Sequence, residues 1–147
     1  MAQVIFPCHV SQHYVVCRLI LADHLLELYD PLHHNVAGEV ALQLRLNQIA
    51  PLVRMVPPLL RQAGWYKSTP YEVARAHSTD SHLSLWIAPP ERKFVQLDSI
   101  SCGVFTAMMV ERLISGSPNC QKWAQQNLAV YRKYMACSIL DLCTLQY

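Results

Sequence analysis

Charge is scarce in this sequence. Only 15% of its residues are Asp, Glu, Lys or Arg, and the twelve Lys and Arg outnumber the ten acids by two. The basic residues are scattered, and no cluster forms. That excludes the electrostatic footprint of a nucleic-acid-binding or anionic-membrane-binding protein. Long hydrophobic runs are lacking too. The longest are broken early, for example by Arg18, so no transmembrane helix is expected. Repeats and low-complexity tracts are absent. The first residues have neither a charged region nor a small-residue cleavage site, so no secretory signal is read there. None of the six cysteines stands in a C-x-x-C pair. They are therefore expected as reduced thiols in a cytosolic or nuclear compartment. Metal-ligand spacing is missing as well. Cys8-His9 and His33-His34 come nearest, but neither has a second ligand pair at zinc spacing, so no metal site and no cofactor are expected.

What is present is apolar material: 52% of 147 residues, enough for one domain with a core. Tyr14 to Leu21 (YVVCRLIL) is β-branched and aromatic, which predicts a strand buried on both faces. Ala22-Asp23-His24 interrupts it, and Leu25 to Tyr29 returns as a second strand. The short connection predicts an antiparallel hairpin, which brings His13, before the first strand, next to Asp30, after the second.

Beyond Asp30, residues 31–38 read as a loop, and Glu39 to Ile49 as a helix. Pro51 is expected to start a new turn, Pro57-Pro58 to kink or break the continuing apolar stretch, and Gly64 to end it. Tyr71 to Ala76 is expected as a strand. Residues 77–93 mix His, Ser, Thr and Asp around an LSLWI core, and fit either a hairpin strand or a surface insertion. Val104 to Ile114 predicts a packed helix that stops at Ser115-Gly116, and a further helix is expected from Ser117-Pro118 to about Leu142.

Chemistry concentrates where a polar run, Gln96 to Ser101, ends in Cys102 and the helix begins. Helix N-termini offer unpaired N–H groups and partial positive charge, which favour a thiolate nucleophile. Taken singly, Cys102 also reads as a buried structural cysteine, His13 as a surface histidine and Asp30 as part of an Asp-Pro turn. Together the chain offers a nucleophile (Cys102), a base (His13), an orienting acid (Asp30), and oxyanion donors in Gln96 and the Cys102 N–H.

These pieces resemble the ubiquitin-like protease family, the SUMO-type deconjugating cysteine peptidases. The resemblance lies in His13-Tyr14 opening a strand and in Leu28-Tyr29-Asp30 followed by Leu32. Gln96 six residues before Cys102-Gly103-Val104-Phe105 and the seventeen-residue step from His13 to Asp30 also match. Weaker matches are Val110-Glu111-Arg112-Leu113 and Tyr131 to Ala136. The resemblance implies an α+β fold of papain-like architecture, with a mixed sheet and the nucleophile on a central helix. It implies a triad of His13, Asp30 and Cys102 and an oxyanion hole from Gln96 and Cys102. It further implies a modifier-tail contact at Tyr14, where the family usually has Trp; Ser101 stands where the family often has Asp. The implied reaction is hydrolysis after the C-terminal Gly-Gly of a ubiquitin-like modifier such as SUMO, with the modifier or its conjugates as partner. Only twelve residues precede His13, so residues 1–147 are expected to be a single, partial catalytic domain with one sheet face exposed. A catalytically impaired relative serving as a binding module, and a metal or scaffold protein, are the competing readings.

Overall fold

The computed structural model describes residues 2–32, 38–89, 95–98, 100–116 and 127–144. The fold is α+β: a four-stranded mixed sheet with helices on both faces. In chain order the strands are β1 (Gln3–Val10), β2 (His13–Ile20), β3 (Leu25–Tyr29) and β4 (Ser84–Ile87), and they lie side by side in that order. β1–β2 and β2–β3 are antiparallel hairpins, and β4 runs parallel to β3. A parallel neighbour needs a crossover. It is supplied here by α1 (Gly38–Gln62), α2 (Trp65–Ser68) and α3 (Glu72–Ala76). After β4 come α4 (Cys102–Ser115) and α5 (Leu128–Thr144).

The period-two alternation of a strand sorts the side chains into two cores. Val15, Cys17, Leu19, Leu26 and Leu28 face one side, where Ile49, Leu52, Val53 and Val56 of α1 cover them. Val16 and Tyr29 face the other, under Phe105, Met108 and Met109 of α4 and Leu128 of α5. Val15, Val16, Cys17, Leu26 and Leu28 are wholly buried. Each such side chain contributes about 1.5–3 kcal/mol of transfer free energy. The expectation of an exposed sheet face is therefore overturned: α1 covers one face of the hairpin and α4 the other.

Further expectations are corrected, and one stretch without a reading proves to be a strand. Residues 3–10, read as nothing in particular, form edge strand β1, where Pro7 is tolerated because an edge need not donate on both sides. Residues 71–76 are not a strand: Tyr71 caps α3, whose Glu72, Ala74, Arg75 and Ala76 are better helix than strand formers. Pro57-Pro58 does not break α1, which runs through Pro51, Pro57 and Pro58. Pro57 has no N–H for the carbonyl of Val53, and the Leu83 N–H donates to that carbonyl instead at 3.0 Å. Residues 84–87 belong to the sheet as its outer parallel strand, which removes the surface-insertion reading for that part of 77–93. The loop reading of 33–37, His33-His34 and the start of the last helix at Ser117-Pro118 lie outside the described residues. α4 ends where expected, with Gly116 in the left-handed region at φ 68° and its N–H on the Arg112 carbonyl.

Candidate active site

The β2–β3 hairpin begins at His13 and ends just before Asp30, and it brings the two together. His13 Nε2 donates to Asp30 Oδ1 at 2.8 Å, with both side chains buried. Asp30 also accepts from the Leu32 N–H at 2.9 Å, and Arg45 Nε on α1 lies 3.3 Å from its Oδ2. Burial pushes this carboxyl up. The His13 hydrogen bond and charge, the Leu32 N–H and the Arg45 charge together outweigh burial and hold it below its ordinary value. An ionised carboxylate only accepts, so His13 donates from Nε2, and in the neutral ring the lone pair is on Nδ1.

Cys102 is the first residue of α4 and is half-buried. The N–H groups of the first turn have no intrahelical acceptor. The first helical bond is Phe105 N–H to the Ser101 carbonyl, at 3.1 Å. α4 is seated on β2 through Phe105 against Val16. Its start lies under Tyr14: a Cβ on Gly103 would come within 3.9 Å of Tyr14 Cδ2, ordinary contact. Tyr14 and Gly103 are the immediate neighbours of His13 and Cys102, so the cysteine and the histidine share one end of the β2–α4 contact. Among the described residues no hydrogen bond joins the Cys102 thiol to the His13 ring. Tyr14 is 41% exposed and packs on the His9 ring, so it forms part of the surface beside the helix start.

Gln96 is wholly buried, anchored by its N–H to the Pro31 carbonyl at 3.0 Å, next to Asp30. Its side-chain Nε2 donates to the Asp98 carbonyl at 2.6 Å and to Asp98 Oδ1 at 3.1 Å. The Gln96 amide is thus turned toward Asp98 in this arrangement. Asp98 Oδ1 also accepts from the N–H groups of Ile100 and Ser101, at 2.9 and 2.7 Å. That shapes the approach to α4. Ser101, buried, receives a hydrogen bond from Arg132 of α5 at 3.1 Å.

Sequence reasoning missed Arg45, Asp98 and Arg132 as parts of the site. Arg45 and Arg132 come from helices far along the chain, and no spacing announces them. Asp98 stood in view within the polar run; an Asp three residues before the N-cap Ser101 is an N-terminal turn signal. No helix among the described residues is long and apolar enough to cross a membrane. No protein-family model matches the sequence, and no curated protein matches it.

Proposed function

We propose that this chain is a cysteine-type peptidase that cleaves after the C-terminal Gly-Gly of a ubiquitin-like modifier such as SUMO, in a papain-like arrangement. The observation that carries the reading is the buried His13–Asp30 pair, set at the end of β2 against which the Cys102 helix is packed. A solvated histidine or a turn aspartate would not need burial, a carboxylate–imidazole bond and a flanking arginine together.

The chemistry follows from the tautomer. His13 Nδ1 takes the Cys102 thiol proton, and the thiolate attacks the terminal glycine carbonyl carbon. The oxyanion is met by the Cys102 N–H at the helix start and by the Gln96 amide, once that amide exchanges Asp98 for the substrate. His13 returns the proton to the leaving amine, and a thioester remains. Water, deprotonated by His13, attacks the thioester; the modifier carboxylate leaves and Cys102 is restored. Asp30 holds the imidazole in its tautomer throughout. Tyr14 lines the approach of the modifier tail. The reduced thiol this requires fits a nuclear or cytoplasmic location.

A second reading has its own support: the absence of a thiol–imidazole hydrogen bond among the described residues, and the Gln96 amide turned to Asp98, favour an impaired relative that binds without cleaving. The deciding experiment uses SUMO, NEDD8 and ubiquitin, each carrying a C-terminal electrophile. Covalent labelling is expected with at least one of them. It should vanish in Cys102→Ala, persist in Cys120→Ala and Cys137→Ala, and slow about 10²–10³-fold in Gln96→Ala. Labelling that survives Cys102→Ala removes the nucleophile assignment. Reversible binding of a modifier without labelling favours the second reading.

A further inference from the structure

A second cluster of chemistry joins the β2–β3 turn to the segment after α3. His24 ends the β2–β3 turn with its side chain only 1% exposed and its backbone in the left-handed region, at φ 54°. Buried imidazole on such backbone is held there by its surroundings. Its ring stacks on that of His77, with centroids 5.0 Å apart and planes 6° from parallel. His77 caps the C-terminus of α3, and Asp80 follows in the next turn, its N–H on the His77 carbonyl at 3.1 Å. Asp80 Oδ2 lies 2.6 Å from His77 Nδ1 and 3.6 Å from His24 Nδ1. One ligand atom from each of the three residues falls within a 4.8 Å group.

A proton does not satisfy this arrangement. One carboxylate oxygen faces two imidazole Nδ1 atoms; it bonds His77, while 3.6 Å leaves His24 beyond hydrogen-bond reach. A cation at the centre satisfies all three at once. Zinc bonds of about 2.0–2.2 Å in tetrahedral geometry put ligand atoms roughly 3.3–3.5 Å apart. The observed separations from Asp80 Oδ2, 2.6 and 3.6 Å, bracket that value; binding also turns the two stacked rings out of parallel, so that both in-plane Nδ1 lone pairs meet at one centre. The tautomer is prepared as well. His24 Nε2 lies 2.7 Å from the Tyr66 hydroxyl, and an Nε2–H donated there leaves Nδ1 with the lone pair. Two nitrogens and one oxygen suit zinc and its first-row neighbours, whereas calcium and magnesium want oxygen. The side chains of His77 and Asp80 are 34% and 42% exposed, which gives an ion access and leaves a fourth position to water. Arg61, whose Nη1 donates to the Asp80 carbonyl at 2.8 Å, puts a positive charge nearby that moderates affinity.

We propose that His24 Nδ1, His77 Nδ1 and Asp80 Oδ2 bind one divalent first-row metal ion, zinc by preference, which clamps the β2–β3 turn to the segment after α3. No two of these residues stand at metal-motif spacing with a third, so the site is invisible in the sequence and independent of the cysteine chemistry.

The test titrates zinc into the untagged, chelator-stripped full chain by calorimetry. One equivalent should bind and raise the melting temperature. Tyr66→Phe should weaken binding roughly 10–100-fold, the usual cost of an outer-shell partner. His77→Gln and Asp80→Asn, at part-exposed positions, should weaken it further and abolish the thermal shift; Cys102→Ser should leave both unchanged. Cobalt(II) bound to the wild-type chain should show visible bands of nitrogen and oxygen donors. A sulfur-to-cobalt charge-transfer band, no binding at one equivalent, or equal zinc affinity in His77→Gln and wild type would overturn the proposal.

Discussion

Replacing Asp30 by Asn changes one atom and puts the site in a bind that its geometry makes calculable. Among its partners the carboxylate serves His13 Nε2 at 2.8 Å and the Leu32 N–H at 2.9 Å on Oδ1, and Arg45 Nε at 3.3 Å beside Oδ2. An asparagine has one acceptor oxygen and one NH₂. If its oxygen stays with His13 and Leu32, the NH₂ faces the Arg45 N–H, donor against donor, and the guanidinium loses its counter-charge. If the amide flips, the oxygen serves Arg45, the Leu32 N–H loses its acceptor, and the NH₂ forces His13 to accept at Nε2. The ring then carries its proton on Nδ1 and has no lone pair for Cys102. Either way one charge-assisted hydrogen bond is lost, about 1.5–3 kcal/mol. For a chain of this size that is roughly 3–12 °C in melting temperature. In the flipped arrangement turnover on a modifier-tail substrate should also fall by about 10⁴, the loss seen when a triad histidine takes the wrong tautomer. The assays are thermal melting, turnover, and ¹⁵N NMR of the His13 ring, which distinguishes Nε2–H from Nδ1–H directly. A variant that melts with the wild type, keeps Nε2–H and turns over unchanged would refute the role given to this pair.

Two further outcomes follow from the same contacts. Asp98→Ala removes the acceptor of the Ile100 and Ser101 N–H groups, which should cost about 0.5–2 kcal/mol, as for a lost helix cap, and slow Cys102 labelling. Asp98→Asn should restore both, and wild-type labelling of Asp98→Ala would remove Asp98 from the site. Acidification should destabilise the fold in two stages. His24 is held below its ordinary value by burial and by His77, against the pull of Asp80, so the unfolded chain binds more protons once the pH falls below about 6.5. Asp30 is also depressed, so its contribution is intact above about pH 4 and is lost as the pH falls through its folded value. Urea midpoints measured from pH 8 to 3 should show both declines; His24→Gln should remove the first and Asp30→Asn flatten the second.

How much of this was legible depended on whether the deciding interactions were local. The β2–β3 hairpin was readable because YVVCRLIL and LLELY are unbroken apolar strands around a polar turn, and the His13–Asp30 contact follows from that alone. The β1–β2 hairpin was not. Its turn residues, Ser11 and Gln12, both have positive φ, 44° and 63°, yet neither is Gly or Asn, the residues that announce such a turn. The continuity of α1 was hidden because its remedy is tertiary: the Leu83 N–H that occupies the Val53 carbonyl comes from the strand β4 approach, not from the helix. Arg45 and the His24–His77–Asp80 group were hidden for the same reason, since their partners are set by packing across elements. Covering the sheet on both faces was also a tertiary outcome. The twelve residues before His13 suggested that one face would stay open, but α1 and α4 lie on opposite faces and each needs only one apolar stripe.

The candidate site divides into a fixed half and an adjustable half. His13 and Asp30 are pinned by the sheet, by Arg45 on α1 and by burial; moving either would expose an ion pair or strand a buried charge. Gln96 and Asp98 hold each other by two side-chain hydrogen bonds, while Asp98 separately holds the Ile100 and Ser101 N–H groups. The two sets are separable. If the Gln96 amide turns to a substrate oxyanion, Asp98 keeps its backbone bonds, and the approach to α4 keeps its shape. The neutral bond to the Asp98 carbonyl contributes about 0.5–1.5 kcal/mol and the bond to its carboxylate about 1.5–3 kcal/mol, whereas an oxyanion donor is worth about 2.7–4 kcal/mol in the transition state. The two sides are of similar size, so the exchange is opposed in the ground state and becomes balanced only as negative charge develops on the substrate. On the proposed reading, a Gln96 turned to Asp98 in the resting chain is compatible with catalysis, and its bonds to Asp98 set the ground state from which the oxyanion hole is assembled.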